Sequence, residues 1–299
     1  MLRSLLISVD LSPASERVVA RAALLPLAPN ARLTLLHVVP KLLPPSARKR
    51  AESDAREALA ALAEKLAAAA PDKAVIRSVV KVGSIAVEVV KQARSVKAEL
   101  LVMGRGGRSI RDVFLGSTAE RVIRQGQLPV LVVRLAARGG YSRPALAIAL
   151  DSAADDAVRM LLRVVAPPRP SVTLIHAYEV PFQATVYPSL SSEEADEYRS
   201  HYQRKARGEI KQLLDTVLER AEVPRKEQPR WKIQLRLGSA RTVIERIVEQ
   251  SRADLLVLGT HGRAGLTHAF LGTVAGDVLR EVACDVLVVP PTPNEAEAS

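Results

Sequence analysis

The residues best suited to chemistry lie in one glycine-rich segment near the end of the chain, "DLLVLGTHGRAGLTHAFLGT", residues 254–273. An apolar run typical of a buried strand stops at Gly259, and Gly262 follows three residues later. Glycine accepts positive φ and lets the backbone approach a ligand with no Cβ in the way. Gly272 and Thr273 then open the next predicted helix, whose unpaired N–H groups and dipole favour an anion. The segment therefore predicts a phosphate site built from backbone N–H groups.

Tight turns are the alternative interpretation of these glycines, since isolated glycines usually mark turns. Their placement between a strand and a helix favours the phosphate site. His261 and Arg263 lie in the same loop, where they would add positive charge to that site; for His261 the alternative is a solvent-exposed loop residue. His261 and His268 lack an evident third ligand, so no metal site is predicted.

The chain contains this pattern twice, which indicates two similar units. "KVGSIAVEVVKQARSVKAELLVMGRGGR" resembles "RLGSARTVIERIVEQSRADLLVLGTHGR", and "FLGSTAERVIRQGQLPVLVV" resembles "FLGTVAGDVLREVACDVLVV". We predict units at 1–137 and 143–290, joined by "ARGGYSR", with residues 291–299 as a flexible tail. About 16 extra residues follow the second strand of the second unit, in "PFQATVYPSLSSEEADEYRSHYQRKARGE".

Short apolar runs alternate with helix-period segments in both units. In the first unit, "LLISVD", "LTLLHVV", "VIRSVVKV", "ELLVMG" and "PVLVVR" predict strands, and helices are expected to begin near Ser12-Pro13, Pro45, Ser84 and Ser117. Ser12 and Ser84 have the chemistry of N-caps, and Pro13 suits the first helical position. This alternation predicts an α/β fold with two tandem, doubly wound, mostly parallel five-stranded sheets and flanking helices, which is Rossmann-like.

On these motifs, each unit resembles a domain of the universal stress protein family, and the whole chain is similar to its tandem, two-domain type. The family's nucleotide signature is Gly, two residues, Gly, nine residues, Gly, then Ser or Thr. The second unit matches it in full. The resemblance implies that this unit binds ATP, with Mg²⁺ or Mn²⁺ on the phosphates.

The resemblance also implies roles for individual residues of the second unit. Asp151 would hold the adenosine portion, and Ala177 would contact adenine through its backbone. Leu258 and Gly259 would line the ribose. The implied phosphate contacts are Gly262, Gly272 and Thr273. Val274 departs from the pattern, because many nucleotide-binding members have a hydroxyl there, so one phosphate contact is in doubt.

The first unit departs further from the signature. Its loop, "GRGGRSIRDVFLGST", is one residue short, although Arg105, Arg108 and Arg111 make it strongly cationic. The residues at the family's contact positions are Asp10, Val38, Met103, Gly104, Gly107, Gly116, Ser117 and Thr118. Binding and loss of binding both stay open for this unit.

The composition of the chain indicates which kinds of binding partner and which compartment are expected. The net charge is +11, yet basic residues are interleaved with acidic ones along predicted helices, which is typical of solvated faces and not of a nucleic-acid surface. The sequence contains no run of about 20 apolar residues, so we expect a cytoplasmic protein without stable membrane association. Cys284 is the single cysteine, so no internal disulfide can form, and a buried thiol is favoured over a reactive one.

Three classes of function follow. The leading hypothesis is an ATP-binding stress-response regulator without efficient catalysis. An adenylating or hydrolysing enzyme is the second, but no Walker motif is present, so at most weak ATP hydrolysis is predicted. The third is an interaction protein of the same fold that binds no nucleotide. The resemblance also implies that the last strands of the two units pair, which gives a pseudo-dimer within one chain, and a homodimer of whole chains is compatible with this.

Overall fold

The predicted α/β fold is confirmed in a computed structural model of the chain, which describes residues 1–106, 117–150, 153–178, 191–260 and 271–292. The elements of the first half are β1 (Leu2–Ser8), α1 (Ser15–Ala23), β2 (Leu27–Pro40), α2 (Pro45–Ala69), β3 (Val75–Gly83), α3 (Ile85–Ser95), β4 (Leu100–Gly104), α4 (Ser117–Gly126) and β5 (Val130–Val133). Those of the second half are β6 (Pro144–Ala147), α5 (Ala153–Val164), β7 (Val172–Tyr178), α6 (Ser192–Arg220), a 3₁₀ turn (Arg225–Glu227), β8 (Trp231–Leu237), α7 (Ala240–Ser251), β9 (Leu255–Gly259), α8 (Thr273–Glu281) and β10 (Asp285–Val289).

All ten strands form one sheet in the order β3-β2-β1-β4-β5-β10-β9-β6-β7-β8. Pairing is parallel within each half and antiparallel where β5 meets β10, with Val286 opposite Val132. The two predicted five-stranded sheets are therefore continuous, and the predicted pairing of the last strands is confirmed. Joining the two short apolar strands removes two edges that could otherwise pair with other chains.

Apolar side chains cover both faces of the sheet, which is what a doubly wound fold requires. On one face, Leu5 and Ile7 of β1 belong to a continuous core that also includes residues of α1, α2, α5 and α6. On the other face, Leu6 belongs to a second core that includes residues of α3, α4, α7 and α8. Because successive strand residues point to opposite faces, the continuous apolar runs of the sequence fill both cores.

One predicted helix start and the two predicted serine caps needed revision. Helix α2 begins at Pro45 and α4 at Ser117, as expected, but α1 begins at Ser15 with Ala14 at the N-cap position. The predicted cap Ser12 and its neighbour Pro13 lie before the helix, because the N–H and hydroxyl of Ser12 both donate to Asp10. Ser84 occupies the N-cap position of α3, but its side chain makes no capping hydrogen bond.

The extra residues of the second half are spread over more than the one predicted stretch. Helix α6 has 29 residues where α2 has 25, and the connection from α6 to β8 is also longer than that from α2 to β3. Helix α6 starts with a capping box in which Ser191 and Glu194 exchange hydrogen bonds of 3.2 and 2.8 Å.

A buried carboxylate joins the two halves. Asp285, at the start of β10 and 0% exposed, accepts the backbone N–H groups of Arg134 and Leu135 at 2.7 and 2.9 Å and the Tyr141 hydroxyl at 2.9 Å. Its second oxygen also lies 3.2 Å from Nε of Arg21, whose guanidinium stacks 4.2 Å above the ring of Tyr141. We call these five residues the junction cluster. It ties α1, the linker and β10 together around one charge.

Cys284 precedes this cluster and is buried, which confirms the interpretation of its thiol as an internal one. Burial raises the pKa of the Cys284 thiol to about 12. A thiol with so high a pKa is almost entirely protonated at neutral pH and is therefore a poor nucleophile. Among the described residues, no helix is long and apolar enough to cross a membrane.

Candidate functional site

Each half of the sheet reverses its strand order at one point, where ligands of open α/β sheets usually bind. In the first half that point lies between β1 and β4, and in the second half between β6 and β9. The glycine segments follow β4 and β9, so both lie at the carboxyl ends of strands beside these points. The fold thus provides two candidate sites, one in each half.

The described site residues of the first half lie along one edge of the sheet. Ser8 pairs with Met103, so Asp10, two residues beyond Ser8, lies near the end of β4 at Gly104. Val38 lies near the end of β2, on the other side of β1, and is buried. A Cβ added to Gly104 would lie 3.4 Å from Cγ2 of Val18 in α1, so the glycine also permits close helix–strand packing.

Asp10 is held in its loop by the residues that follow it. Its Oδ1 accepts the N–H and hydroxyl of Ser12 at 3.0 and 2.6 Å and the hydroxyl of Ser15 at 3.1 Å. Leu11, with φ of 59°, turns the chain so that these donors reach back. Burial works to raise the pKa of Asp10, but the hydrogen bonds from Ser12 and Ser15 outweigh it and hold that pKa below its ordinary value.

This shift predicts that Asp10 stabilises the fold in a pH-dependent way. The stabilisation is complete above the ordinary carboxyl pKa and is lost as the pH falls through the lower pKa of the folded state. We expect wild type to be more stable than Asp10→Asn at neutral pH, and the difference to shrink on acidification below about pH 4. Urea unfolding at a series of pH values measures this. A stability difference between the two proteins that does not change with pH would contradict the role of the ionised carboxylate.

The second half brings its described site residues to the equivalent edge. Ala147, at the end of β6, pairs with Leu258 on one side and with Ile175 on the other. Gly259 and Ala177 therefore lie on either side of the point where β6 ends and residue 151 follows. Leu258 is buried with its side chain in the core, so any ligand contact from it would be through the backbone.

The two ends of the second glycine segment are hydrogen-bonded to each other. The N–H of Thr260 donates to Val289 at 3.1 Å, and the N–H of Gly272 donates to the carbonyl of Thr260 at 2.8 Å. A Cβ on Gly272 would lie 3.2 Å from that carbonyl oxygen, which is closer than side chains normally come. Gly272 is the N-cap of α8, and Thr273 begins the helix. The end of β9 and the start of α8 are thus fixed side by side.

Two histidines at matching positions of the halves have a role that the sequence did not reveal. Nδ1 of His37 lies 2.9 Å from the carbonyl of Val9, and Nδ1 of His176 lies 2.9 Å from the carbonyl of Ile148. A carbonyl only accepts, so Nδ1 carries the proton in both rings. Each histidine ties its strand to the end of β1 or β6, where the candidate site begins. Their matching positions in the repeat were the available signal.

Several predicted site residues lie outside the described part of the chain: Asp151, His261, Gly262, Arg263, Gly107 and Gly116. Ser117 is the first residue of α4, and Thr118, which follows it, is half-buried. Within the described ranges, no group of three His, Cys, Asp or Glu side chains is arranged to hold a metal ion.

Comparison with known proteins finds one family in both halves of the chain. The family model described as "Universal stress protein family" matches residues 1–134 and 141–290. A universal stress protein of Mycolicibacterium smegmatis is 26% identical over 311 aligned positions, which cover 96% of this chain and 97% of that protein. The crystal structure of a universal stress protein from Archaeoglobus fulgidus superposes with a TM-score of 0.66 at 19% identity, covering 98% of this chain and 97% of that one.

Other curated relatives match over a short segment only. Universal stress protein E of Salmonella typhi is 44% identical over 54 residues, which is 18% of this chain and 17% of that protein. The Escherichia coli K12 protein of the same name is 43% identical over a segment of the same length.

Proposed function

The chain belongs to the universal stress protein family, and we propose that its second half binds ATP, with Mg²⁺ or Mn²⁺ on the phosphates. The observation that carries the proposal is the hydrogen bond between the two ends of the second glycine segment, Thr260 and Gly272, which we call its closed base. The spacing Gly259, Gly262, Gly272, Thr273 matches the family signature, and the 2.8 Å bond from Gly272 to Thr260 brings the two ends of that segment together. We propose that the loop between these ends presents backbone N–H groups to the phosphates.

Backbone groups are the proposed phosphate ligands. The N–H of Gly272 already donates to the carbonyl of Thr260, so we do not propose it as a phosphate donor. Its role would be to let the start of α8 lie close to that carbonyl. The donors would be N–H groups of the first turn of α8, beginning at Thr273, and of the loop around Gly262. The first-turn N–H groups have no intrahelical acceptor, and the helix dipole favours negative charge there. A metal ion would be held mainly by phosphate oxygens, which are the hard ligands it prefers.

The nucleoside would lie across the end of β6. We propose that Asp151 binds the adenosine portion, that the backbone of Ala177 meets adenine, and that Leu258 and Gly259 line the ribose. The pairing of β6 with both β7 and β9 supports this arrangement, because it brings Ala177 and Gly259 to the two sides of one crevice. His261 and Arg263 would add positive charge beside the phosphates.

The first half differs in ways that favour the second as the principal site. Asp10 is bound by Ser12 and Ser15. The residues that match these serines in the repeat are Ala153 and Asp156, so Asp151 has no hydroxyl donor at either position. In addition, the first glycine segment is one residue short. We therefore propose that a single nucleotide binds per chain at moderate concentrations, in the second half.

We further propose that binding regulates the protein and is not followed by efficient catalysis. Nucleotide can shift a conformational equilibrium only through different affinities for two states, and ATP would act in this way in a cytoplasmic stress response. The predicted hydrolysis rate is far below that of an enzyme, because residues 259–273 include no Asp or Glu and no described group of His, Cys, Asp or Glu could hold a metal ion to polarise water. Several turnovers per second in a purified, nucleotide-supplied sample would instead assign an enzyme.

Protein purified without added nucleotide offers a direct test. We expect heat-denatured protein to release a compound with adenine absorbance, and we expect added ATP with Mg²⁺ to raise the melting temperature. Ligand at 100 times its dissociation constant stabilises the folded state by about 2.7 kcal/mol. Absorbance spectroscopy of the supernatant and a thermal melt measure the two effects. GTP is the matched control, and an equal shift with GTP would contradict adenine recognition.

A further inference from the structure

A cleft at the amino ends of β1 and β2 lies away from both glycine segments. It has a volume of about 420 Å³ and is lined by Arg3, Ala28, Pro29, Asn30 and Arg32. In the first half, the candidate nucleotide site lies at the opposite, carboxyl ends of the same strands. A volume of this size is within the range of small-molecule sites.

A backbone irregularity opens this cleft. Leu2 pairs with Leu27 and Ser4 pairs with Arg32, so the four residues 28–31 of β2 stand opposite the single residue Arg3 of β1. Extra residues in one strand bend it and re-aim its side chains, and such bulges are common next to functional sites. The bulge supplies two apolar walls, Ala28 and Pro29, and one amide, Asn30.

The two guanidinium groups of the cleft are not neutralised by the described residues. No described carboxylate forms a salt bridge with Arg3 or Arg32, and the hydrogen bonds among described residues include neither side chain. Glu99 is the carboxylate that is hydrogen-bonded to Arg3. It accepts the backbone N–H of Arg3 at 2.6 Å and forms a salt bridge with Arg163 at 2.8 Å. The contacts of Glu99 are therefore with the backbone of Arg3 and the side chain of Arg163, and not with the Arg3 guanidinium.

At the position of the second half that matches Asn30, the side chain is hydrogen-bonded within the fold. Arg169 stands where the repeat places Asn30, and its guanidinium donates to the carbonyls of Glu227 and Leu162 at 2.7 and 2.8 Å. The Arg169 guanidinium is thus hydrogen-bonded within the fold, whereas Arg3 and Arg32 of the first half line an open cleft and have no ion pair among the described residues. Guanidinium forks bind phosphate and carboxylate oxygens in pairs.

From these contacts we propose that the cleft of Arg3, Asn30 and Arg32 is a second anion site, for a small phosphorylated molecule whose apolar part lies on Ala28 and Pro29. The two guanidinium groups bind the phosphate oxygens, and the amide of Asn30 donates a further hydrogen bond. This site is independent of the proposed ATP site, because it uses no residue of either glycine segment.

Inorganic pyrophosphate is the probe that tests this site, with the full chain and NMR observation of arginine Nε–H signals. We expect two of these signals to shift on titration and to disappear in Arg3→Gln and Arg32→Gln respectively. The double variant should bind pyrophosphate at least about tenfold more weakly at the shifted site. Arg56→Gln with Arg199→Gln is the matched control, because both arginines are already paired with carboxylates.

Three results would overturn the proposal. They are no shift of either signal at millimolar pyrophosphate, equal binding by the double variant and wild type, and an equal loss in the control variant. ATP titration of the Arg3→Gln, Arg32→Gln double variant separates this site from the proposed function. Retained ATP binding with lost pyrophosphate shifts supports a second site, whereas loss of both at once would contradict its independence. Inorganic phosphate compared with phenyl phosphate then shows whether the apolar wall contributes, and equal binding of the two would contradict a contact with Ala28 and Pro29.

Discussion

Replacing Asp285 with alanine is expected to lower the free energy of unfolding by about 3–5 kcal/mol, the usual result of removing one partner from a buried ion pair. The substitution leaves the buried guanidinium of Arg21 without its counter-ion, since both side chains are almost fully buried. It also leaves two backbone N–H groups and the Tyr141 hydroxyl without their acceptor. Chemical denaturation followed by circular dichroism measures the change.

Glu52→Ala is the matched control for Asp285→Ala. Glu52 pairs with Arg56 at 3.2 Å, but on an exposed helix face, where such pairs contribute at most about 1 kcal/mol. A double-mutant cycle with Arg21→Ala should give a coupling of about 1 kcal/mol or more, because the two residues are in contact. A loss below 1 kcal/mol for Asp285→Ala would show that the junction cluster does not hold the halves together.

Gly272→Val is expected to weaken ATP binding by at least about tenfold, which corresponds to 1.4 kcal/mol of binding free energy. A Cβ at this position already lies 3.2 Å from the carbonyl oxygen of Thr260, and the two methyl groups of valine need more room. The bond between Gly272 and Thr260 should therefore lengthen or break, and the loop and α8 should move apart. Overpacking of this kind also costs about 1–3 kcal/mol of stability. Equilibrium dialysis with ATP measures affinity, after a thermal melt confirms that the variant is folded.

Gly208→Ala is the control for this substitution. A Cβ at Gly208 meets nothing within 4 Å, and its position inside α6 favours alanine over glycine by about 0.5–1 kcal/mol. We expect this variant to bind ATP like wild type and to be slightly more stable. Undiminished ATP affinity in a folded Gly272→Val protein would show that the closed base of the glycine segment is not part of the nucleotide site.

The architecture could be predicted from the sequence because it rests on periodic, local signals. Apolar runs such as "ELLVMG" match strands with both faces buried, and the repeat gives the second half once the first is known. The pairing of β5 with β10 came from the family resemblance and not from the runs themselves, and the order of the strands was not predicted. Propensity contains no information on which of several similar apolar strands become neighbours.

The start of α1 and the contacts of the junction cluster could not be predicted from the sequence. Ser12 has the chemistry of an N-cap, yet Asp10 takes its donors, so a tertiary arrangement of the loop replaced the local rule. Asp285 stands where the first unit has Pro129, and this difference between the repeats was the only signal of a special role. Its partners Arg21 and Tyr141 are far away in sequence, so their meeting depends on the folded chain.

The candidate site was predicted from the spacing of glycines and stays a prediction. Gly259 and Gly272 match the signature, and the structure adds that a Cβ on Gly272 would lie only 3.2 Å from the carbonyl oxygen of Thr260. The two histidines that bind the ends of β1 and β6 were visible as a repeated pair, but their hydrogen bonds to Val9 and Ile148 depend on strand pairing. A contact to a backbone carbonyl leaves no complementary residue in the sequence to search for.

Calorimetric titration of the full chain with ATP and Mg²⁺ tests the central claim most directly. The account predicts a saturable heat with a stoichiometry of one nucleotide per chain, and a binding constant that falls at least about tenfold in Gly272→Val but not in Gly208→Ala. No heat and no rise in melting temperature at millimolar ATP would contradict ATP binding by the second half. Two equal sites per chain would contradict the distinction drawn between Asp10 and Asp151.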